Sequence, residues 1–194
     1  MSSLKEIAQQ LKDNKEPIML IFAFNSVGKT QLSVEYKNIT KTEEGKHTGV
    51  YYNAYSEDLF RWDNDEWNEN KNMRLEIIKS SLNPYFSSLI ETPDLLEEKL
   101  TRYLPKYTYT FDTNPDPEIG IDAIRFSRDG VSNIKISRGE ERIFIWCFFL
   151  ALFAADAWTG EQDAHFFIDD PVSSMDDYNV FITADSIIQL IDEK

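Results

Sequence analysis

The segment His165–Asp177, HFFIDDPVSSMDD, constrains the fold of this chain more than any other. Three apolar residues, Phe166, Phe167 and Ile168, run into two adjacent carboxylates, Asp169 and Asp170, then into a proline turn and an S-S-x-D loop. A strand that ends this way delivers both carboxylates to its carboxyl end, where open α/β sheets hold their ligands. A hard oxygen ligand such as Asp169 suits Mg²⁺ beside nucleotide phosphates. A second carboxylate, Asp170, suits the orientation of an attacking water or the acceptance of its proton.

Two upstream patches bear on the same chemistry. Ile18–Phe22 is a short apolar run, read as a strand, followed by Ala23-Phe24-Asn25-Ser26-Val27-Gly28-Lys29-Thr30 and the helix-compatible QLSVEYK. In such a strand, loop and helix, the backbone N–H groups of Asn25, Ser26, Val27 and Gly28 and the helix N-terminus cradle phosphate. Lys29 reaches the β- and γ-phosphates, and the Thr30 hydroxyl ligates Mg²⁺. The pattern G-x-x-x-x-G-K-[ST] is broken at its first glycine, where Ala23 stands. The third patch, Ile136-Ser137-Arg138-Gly139-Glu140-Glu141, opens a long apolar helix read over Ile143–Trp158. Ser137 with Glu140 three residues on has the form of a capping box. Alone, that patch is a helix start; the order of the three patches gives it a further meaning.

That order resembles the phosphate loop, signature motif and Mg²⁺-site strand of the ABC-type ATPases, an α/β fold with a mixed sheet core, an antiparallel β portion and a helical lobe. Ser137 and Gly139 match the serine and second glycine of the L-S-G-G-Q signature, with Arg138 and Glu140 as departures. Asp169 matches the Walker B aspartate. Asp170 stands where most members carry a catalytic glutamate, one methylene longer. Ser173-Ser174-Met175-Asp176 match the D-loop S-A-L-D. The resemblance implies that Ser137 and Gly139 of one subunit close on nucleotide held by Lys29 and Thr30 of another. The active form is then a head-to-tail homodimer in which Ser174 and Asp176 couple the two sites.

A narrower resemblance rests on LKEIAQQLKDNKEPIMLIFAFNSVGKT, GVYYNAYSEDLFRWDND, IKISRGEERIFIW and FFIDDPVSSMDD. Together these look like the N-terminal ATPase part of PrrC-type anticodon nucleases. In that family an ABC-like head, regulated by nucleotide, controls a ribonuclease domain that cuts lysine tRNA in a phage-defence toxin held beside a restriction–modification complex. The resemblance implies Mg²⁺ with ATP or GTP, and a nuclease domain or restriction–modification complex as protein partner. The chain ends at Lys194, so no nuclease activity is expected of it. The switch histidine expected after the D-loop is missing, since only His47 and His165 occur.

Composition sets the class of partner. With 34 acidic against 20 basic residues and a formal charge of −14, the chain lacks the cationic surface that nucleic-acid binding demands, so direct nucleic-acid contact is not expected. One cysteine, Cys147, excludes an internal disulfide and sits in the apolar helix as a small buried hydrophobe. The apolar run Ile143–Ala155 is too short to span a bilayer. No signal peptide is visible, and the chain is read as a single cytoplasmic domain, 1–194, without a membrane partner.

The rest of the chain shows no repeats or heptads. Leu4, Ile7, Ala8 and Leu11 share one face of an N-terminal amphipathic helix. Lys41–His47 reads as a turn before a strand at Gly49–Asn53. Tyr55–Asn72 is aromatic, acidic and irregular, with Trp62 and Trp67 read as partly buried in preference to forming a partner-binding surface. Met73–Leu82 and Pro93–Tyr103 have helical spacing. Tyr107–Asp112, Gly120–Ser127 and Val131–Ile136 read as strands, with Arg128-Asp129-Gly130 turning between the last two. Asp185–Ile191 closes the chain as a helix. Asn53 stands about where ABC-type proteins keep a glutamine that senses Mg²⁺ and the γ-phosphate, yet an asparagine ending a strand also serves turn chemistry. Arg138 is either a phosphate contact across a dimer or a solvated helix-start residue. The function expected is a nucleotide-binding and hydrolysing switch. The alternatives are a nucleotide sensor without useful turnover and an ABC-type ATPase of another defence or DNA-repair system.

Overall fold

A computed structural model describes residues 3–16, 18–24, 27–43, 45, 48–155, 165–172 and 175–192. The fold is α/β, with one parallel and one antiparallel sheet and several helices. The chain divides into two compact units, Met1–Ala54 with Glu161–Lys194, and Tyr55–Gly160.

The first unit is discontinuous in sequence. Helix α1 (Leu4–Asp13) starts on a capping box, in which Ser3 Oγ accepts from Glu6 N at 3.2 Å and Ser3 N donates to Glu6 Oε2 at 2.8 Å. Its apolar stripe packs on α2 (Lys29–Ile39) with Ala8 fully buried, and Lys12 Nζ donates to Ile39 O at 2.8 Å. Strand β1 (Gly49–Tyr52) pairs in parallel with β7 (His165–Ile168), Gly49 opposite His165 and Tyr52 opposite Ile168. The ladder continues one step further, because Asp169 N donates to Tyr52 O at 2.8 Å. The His165 imidazole occupies the place of a Cβ at position 49, so a larger residue there must displace that ring. The ring is held there by the Tyr51 hydroxyl, 2.5 Å from His165 Nε2 and 3.1 Å from Thr40 Oγ1. Burial pushes the Tyr51 pKa up, so the phenol stays neutral. A last helix, α7 (Asp177–Asp192), follows.

The second unit is built on a five-stranded antiparallel sheet of β2 (Phe60–Asp63), β3 (Arg74–Ile77), β4 (Thr108–Thr113), β5 (Ile121–Arg128) and β6 (Val131–Ile134). Strand β5 is its axis. Strand β4 runs along one edge of β5, while β3 and β6 pair with different stretches of it, β3 at Ala123–Ile124 and β6 at Phe126–Arg128. Against this sheet lies α6 (Arg138–Ala154), which also packs on α5 (Pro93–Thr101) and α4 (Phe86–Glu91). A short α3 (Ala54–Glu57) precedes β2. Because α6 meets a sheet on one side and helices on another, it is buried from Ile143 to Phe153. Phe144 meets Phe126 edge-to-face at 5.0 Å between ring centroids, and Phe148 meets Phe60 at 5.5 Å and Phe86 at 5.2 Å. Cys147 is fully buried among them, as its place in the apolar run predicts, and burial pushes its thiol pKa up.

Four sequence expectations are corrected. Residues 73–82 are not a helix: Arg74–Ile77 is strand β3, its side chains alternating between half-buried and buried. The apolar spacing fits a period of two as well as one of 3.6, and the cross-strand pairs Trp62–Leu75 and Arg61–Glu76 decide it. The span 55–72 is not wholly irregular, since Phe60–Asp63 pairs with β3. Trp67 is not partly buried: it is fully exposed on the 3₁₀ turn Glu66–Asn68. Trp62 is half-buried against Phe126, as expected. The apolar run 18–22 forms no strand, because among the described residues no strand ladders with it, and Leu20 and Phe22 are 91% and 90% exposed. Smaller shifts occur at element ends. Helix α6 spans Arg138–Ala154, with Trp158 outside the described residues, and α7 begins at Asp177, eight residues earlier than Asp185. No helix among the described residues is long and apolar enough to cross a membrane.

The Gly49–His165 contact predicts that Gly49→Ala lowers unfolding stability by about 1–3 kcal/mol through overpacking. Adding His165→Ala should restore most of that loss, as read from urea or thermal unfolding midpoints.

Candidate functional site

Helix α2 begins at a left-handed glycine. Gly28 has φ 96°, a conformation in which a Cβ is strained, and it caps the helix without any side-chain hydrogen bond. No side-chain cap therefore covers this end of α2, and the first-turn N–H groups and dipole of a helix start favour an anion. Lys29 Nζ lies 3.4 Å from Ala23 O, back over the loop that precedes it. Val27 is exposed; Asn25 and Ser26, also expected in this loop, lie outside the described residues.

Thr30, the second residue of α2, donates its hydroxyl to Asp169 Oδ2 at 2.8 Å, across 139 positions of sequence. This brings together the two side chains the sequence assigns to Mg²⁺. The donor set fits such an ion. Adjacent ligands of an octahedral Mg²⁺ at about 2.0–2.1 Å stand about 2.9 Å apart, close to the separation observed here. Among the described residues no three His, Cys, Asp or Glu gather to cage an ion. A nucleotide-bound Mg²⁺ needs only one or two protein oxygens, the others coming from phosphate and water.

A buried polar chain supports this pair from behind. Asn53 Nδ2 donates to Ser33 Oγ at 2.8 Å, and Ser33 Oγ donates to Thr30 O at 2.7 Å. Ser33 is fully buried and Asn53 nearly so. The amide of Asn53 is thus turned toward the first turn of α2, joining β1 to the residue that meets Asp169. Sequence reasoning missed Ser33; its only signal is a small polar residue three positions after Thr30, on the same helix face. Asp170 is exposed and left-handed, with φ 52°, a conformation that aspartate tolerates better than most residues.

The third patch lies in the second unit. Ser137 caps α6, its Oγ accepting from Glu140 N at 3.3 Å while Ser137 N donates to Glu140 Oε2 at 2.9 Å, the expected capping box. Glu140 Oε1 also accepts from Arg128 Nη2 at 2.5 Å. Gly139 has open space where a Cβ would stand, so this chain's own packing does not demand a glycine there. Arg138 is largely exposed and reaches Glu141 Oε1 at 3.5 Å, while Glu141 Oε2 accepts from Trp62 Nε1 at 2.9 Å. In the first unit, Asp176 caps α7: Oδ1 accepts from Asn179 N at 2.9 Å and Oδ2 from Asn179 Nδ2 at 2.7 Å. Ser174 lies outside the described residues.

No family model and no solved structure matches the chain. It is similar to the anticodon nuclease of Escherichia coli, with 32% identity over an alignment 237 positions long that covers 97% of this chain and 59% of that protein. The chain therefore spans about three-fifths of the length of the relative it matches.

The capping box carries a pH dependence. Burial alone would raise the Glu140 pKa, but hydrogen bonds from Ser137 and the charge and hydrogen bond of Arg128 outweigh it and lower it from the ordinary 4.5. A carboxyl whose folded pKa is depressed stabilises the fold above its unfolded pKa, and that contribution is lost as pH falls through the folded value. Glu140→Gln should flatten the fall in stability below pH 4.5, measured by urea unfolding at stepped pH.

Proposed function

We propose that this chain is a nucleotide-binding head that hydrolyses ATP or GTP slowly and serves as the regulatory switch of an anticodon nuclease of the phage-defence kind. The observation that carries this reading is the 2.8 Å hydrogen bond between Thr30 and Asp169. These are the two oxygen ligands that a phosphate-loop ATPase contributes to Mg²⁺. The similarity to an anticodon nuclease over nearly the whole chain supports the biological setting.

In this reading the N–H groups at the start of α2 bind the phosphates, and Lys29 swings from Ala23 O to the β- and γ-oxygens. Bound Mg²⁺ would be held by Thr30 and Asp169 and would neutralise charge developing on the phosphates. Asp170 orients the attacking water and accepts its proton, a role that its exposed, outward position permits. Ser137 and the open space at Gly139 receive the γ-phosphate of nucleotide bound to a second copy, in a head-to-tail homodimer. A glycine inside a helix costs about 1 kcal/mol against alanine, and close approach by a ligand is a reason to keep one. Asp176, already capping α7, couples the two sites together with Ser174. The effector is a tRNA-cutting domain or a restriction–modification partner, while the acidic chain itself does not contact nucleic acid.

A nucleotide sensor without useful turnover is the second reading. It is favoured by the short carboxylate at Asp170 on a left-handed backbone. Both readings are tested by titrating the chain with Mg²⁺–ATP and Mg²⁺–GTP while following phosphate release and thermal midpoint. For a hydrolase, one nucleotide is turned over, Lys29→Ala loses binding, and Asp170→Asn cuts turnover by about 10²–10⁴-fold with binding kept. For a sensor, the midpoint rises without phosphate release. Binding of neither nucleotide would overturn both.

A further inference from the structure

The entrance of α6 carries two carboxylates, and each is answered by a different arginine in a different way. Glu141 meets Arg138 at 3.5 Å through a side chain that is largely in water. Such an i, i+3 surface pair is weak and easily exchanged. Glu140 meets Arg128, which is held at two points: Nη2 to Glu140 Oε1 at 2.5 Å and Nε to Lys106 O at 2.9 Å. The second oxygen of Glu140 accepts from Ser137 N, and Ser137 Oγ accepts from Glu140 N. A hydroxyl that accepts in this way still carries its own proton. The Ser137 O–H is therefore left to donate outward, from an exposed position.

We infer that Arg128 is the positioning residue of the Ser137 hydroxyl: by fixing and neutralising Glu140 it aims that O–H at an arriving phosphate and removes the negative charge that would repel it. This rests on the reading of Ser137 as the contact to nucleotide bound by a second copy. Arg128 touches no nucleotide itself. Its charge matters because Glu140 is acceptor-only and permanently negative at neutral pH, whereas an amide in its place would be neutral. Arginine suits the task better than lysine, since its fork reaches the carboxylate and a backbone carbonyl together. Arg138, loosely paired, is left to move.

The test compares the full chain with Arg128→Ala, Arg128→Lys, Glu140→Gln and the double variant Arg128→Ala/Glu140→Gln. Binding of Mg²⁺–ATP and Mg²⁺–GTP is measured by calorimetry at low protein concentration, and phosphate release and nucleotide-dependent self-association at high concentration. Arg128→Ala should leave nucleotide affinity within about twofold, because Lys29 and Thr30 set it, while turnover and self-association fall by about tenfold or more, as expected when a charged group loses its partner. Arg128→Lys should be intermediate. The double variant should regain most of the loss, because the neutral amide needs no counter-charge and still accepts from Ser137 N. Full activity of Arg128→Ala, or a double variant no better than the single one, overturns the inference. Where the wild type binds without turnover, self-association carries the same comparison. Wild type that binds neither nucleotide defeats the underlying reading instead, before any variant is compared. Circular dichroism and thermal midpoints check folding, and if Arg128→Ala is unfolded, the Arg128→Lys and double variants decide.

Discussion

The parallel pairing of Gly49–Tyr52 with His165–Ile168 is the constraint on which the first unit depends. Parallel neighbours cannot be joined by a tight turn and need a long crossover, and here the chain between them passes through the whole of Tyr55–Gly160. The ladder is what makes Thr30 and Asp169 neighbours: it ends in Asp169 N on Tyr52 O, and the residue after β1, Asn53, reaches through Ser33 to the carbonyl of Thr30. Slip the register by one residue and Asp169 would face the opposite side of the sheet. The His165 ring over Gly49 resists such a slip, since only glycine leaves room for it.

The second unit depends on aromatic packing of a different kind. Helix α6 has no polar face along Ile143–Phe153, so it is stable only with apolar surface around it. The sheet supplies Phe60, Phe111 and Phe126, and α4 supplies Phe86. Polarity returns at the first turn, where carboxylates suit the positive end of the helix dipole. The same turn therefore anchors the helix and presents Ser137.

Much of this could be read from residues alone, and the reasons are local. The capping boxes at Ser3 and Ser137 were legible because serine and glutamate at a three-residue spacing satisfy each other's backbone. The apolar strand before Asp169 was legible because it is short, β-prone and bounded by carboxylates and proline. The helix start at Gly28-Lys29-Thr30 was legible because a left-handed glycine opens a helix-compatible run. What failed is ambiguous or non-local. Met73-Arg74-Leu75-Glu76-Ile77-Ile78 satisfies either period, and only pairing with β2 and β5 selects the strand. The start of α7 is hidden by Tyr178, Val180, Phe181 and Ile182, which are poor helix formers on their own, and Asp176 as its cap is seen only in three dimensions. Ser33 and Arg128 carry no motif. Their importance comes from partners 20 and 12 residues away.

One detail of the second core has a practical use. The single thiol of the chain, Cys147, is sealed inside α6, and a buried, neutral thiol does not react with alkylating or disulfide reagents. Its labelling rate is then a clock for the opening of the Tyr55–Gly160 unit alone, without any engineered probe.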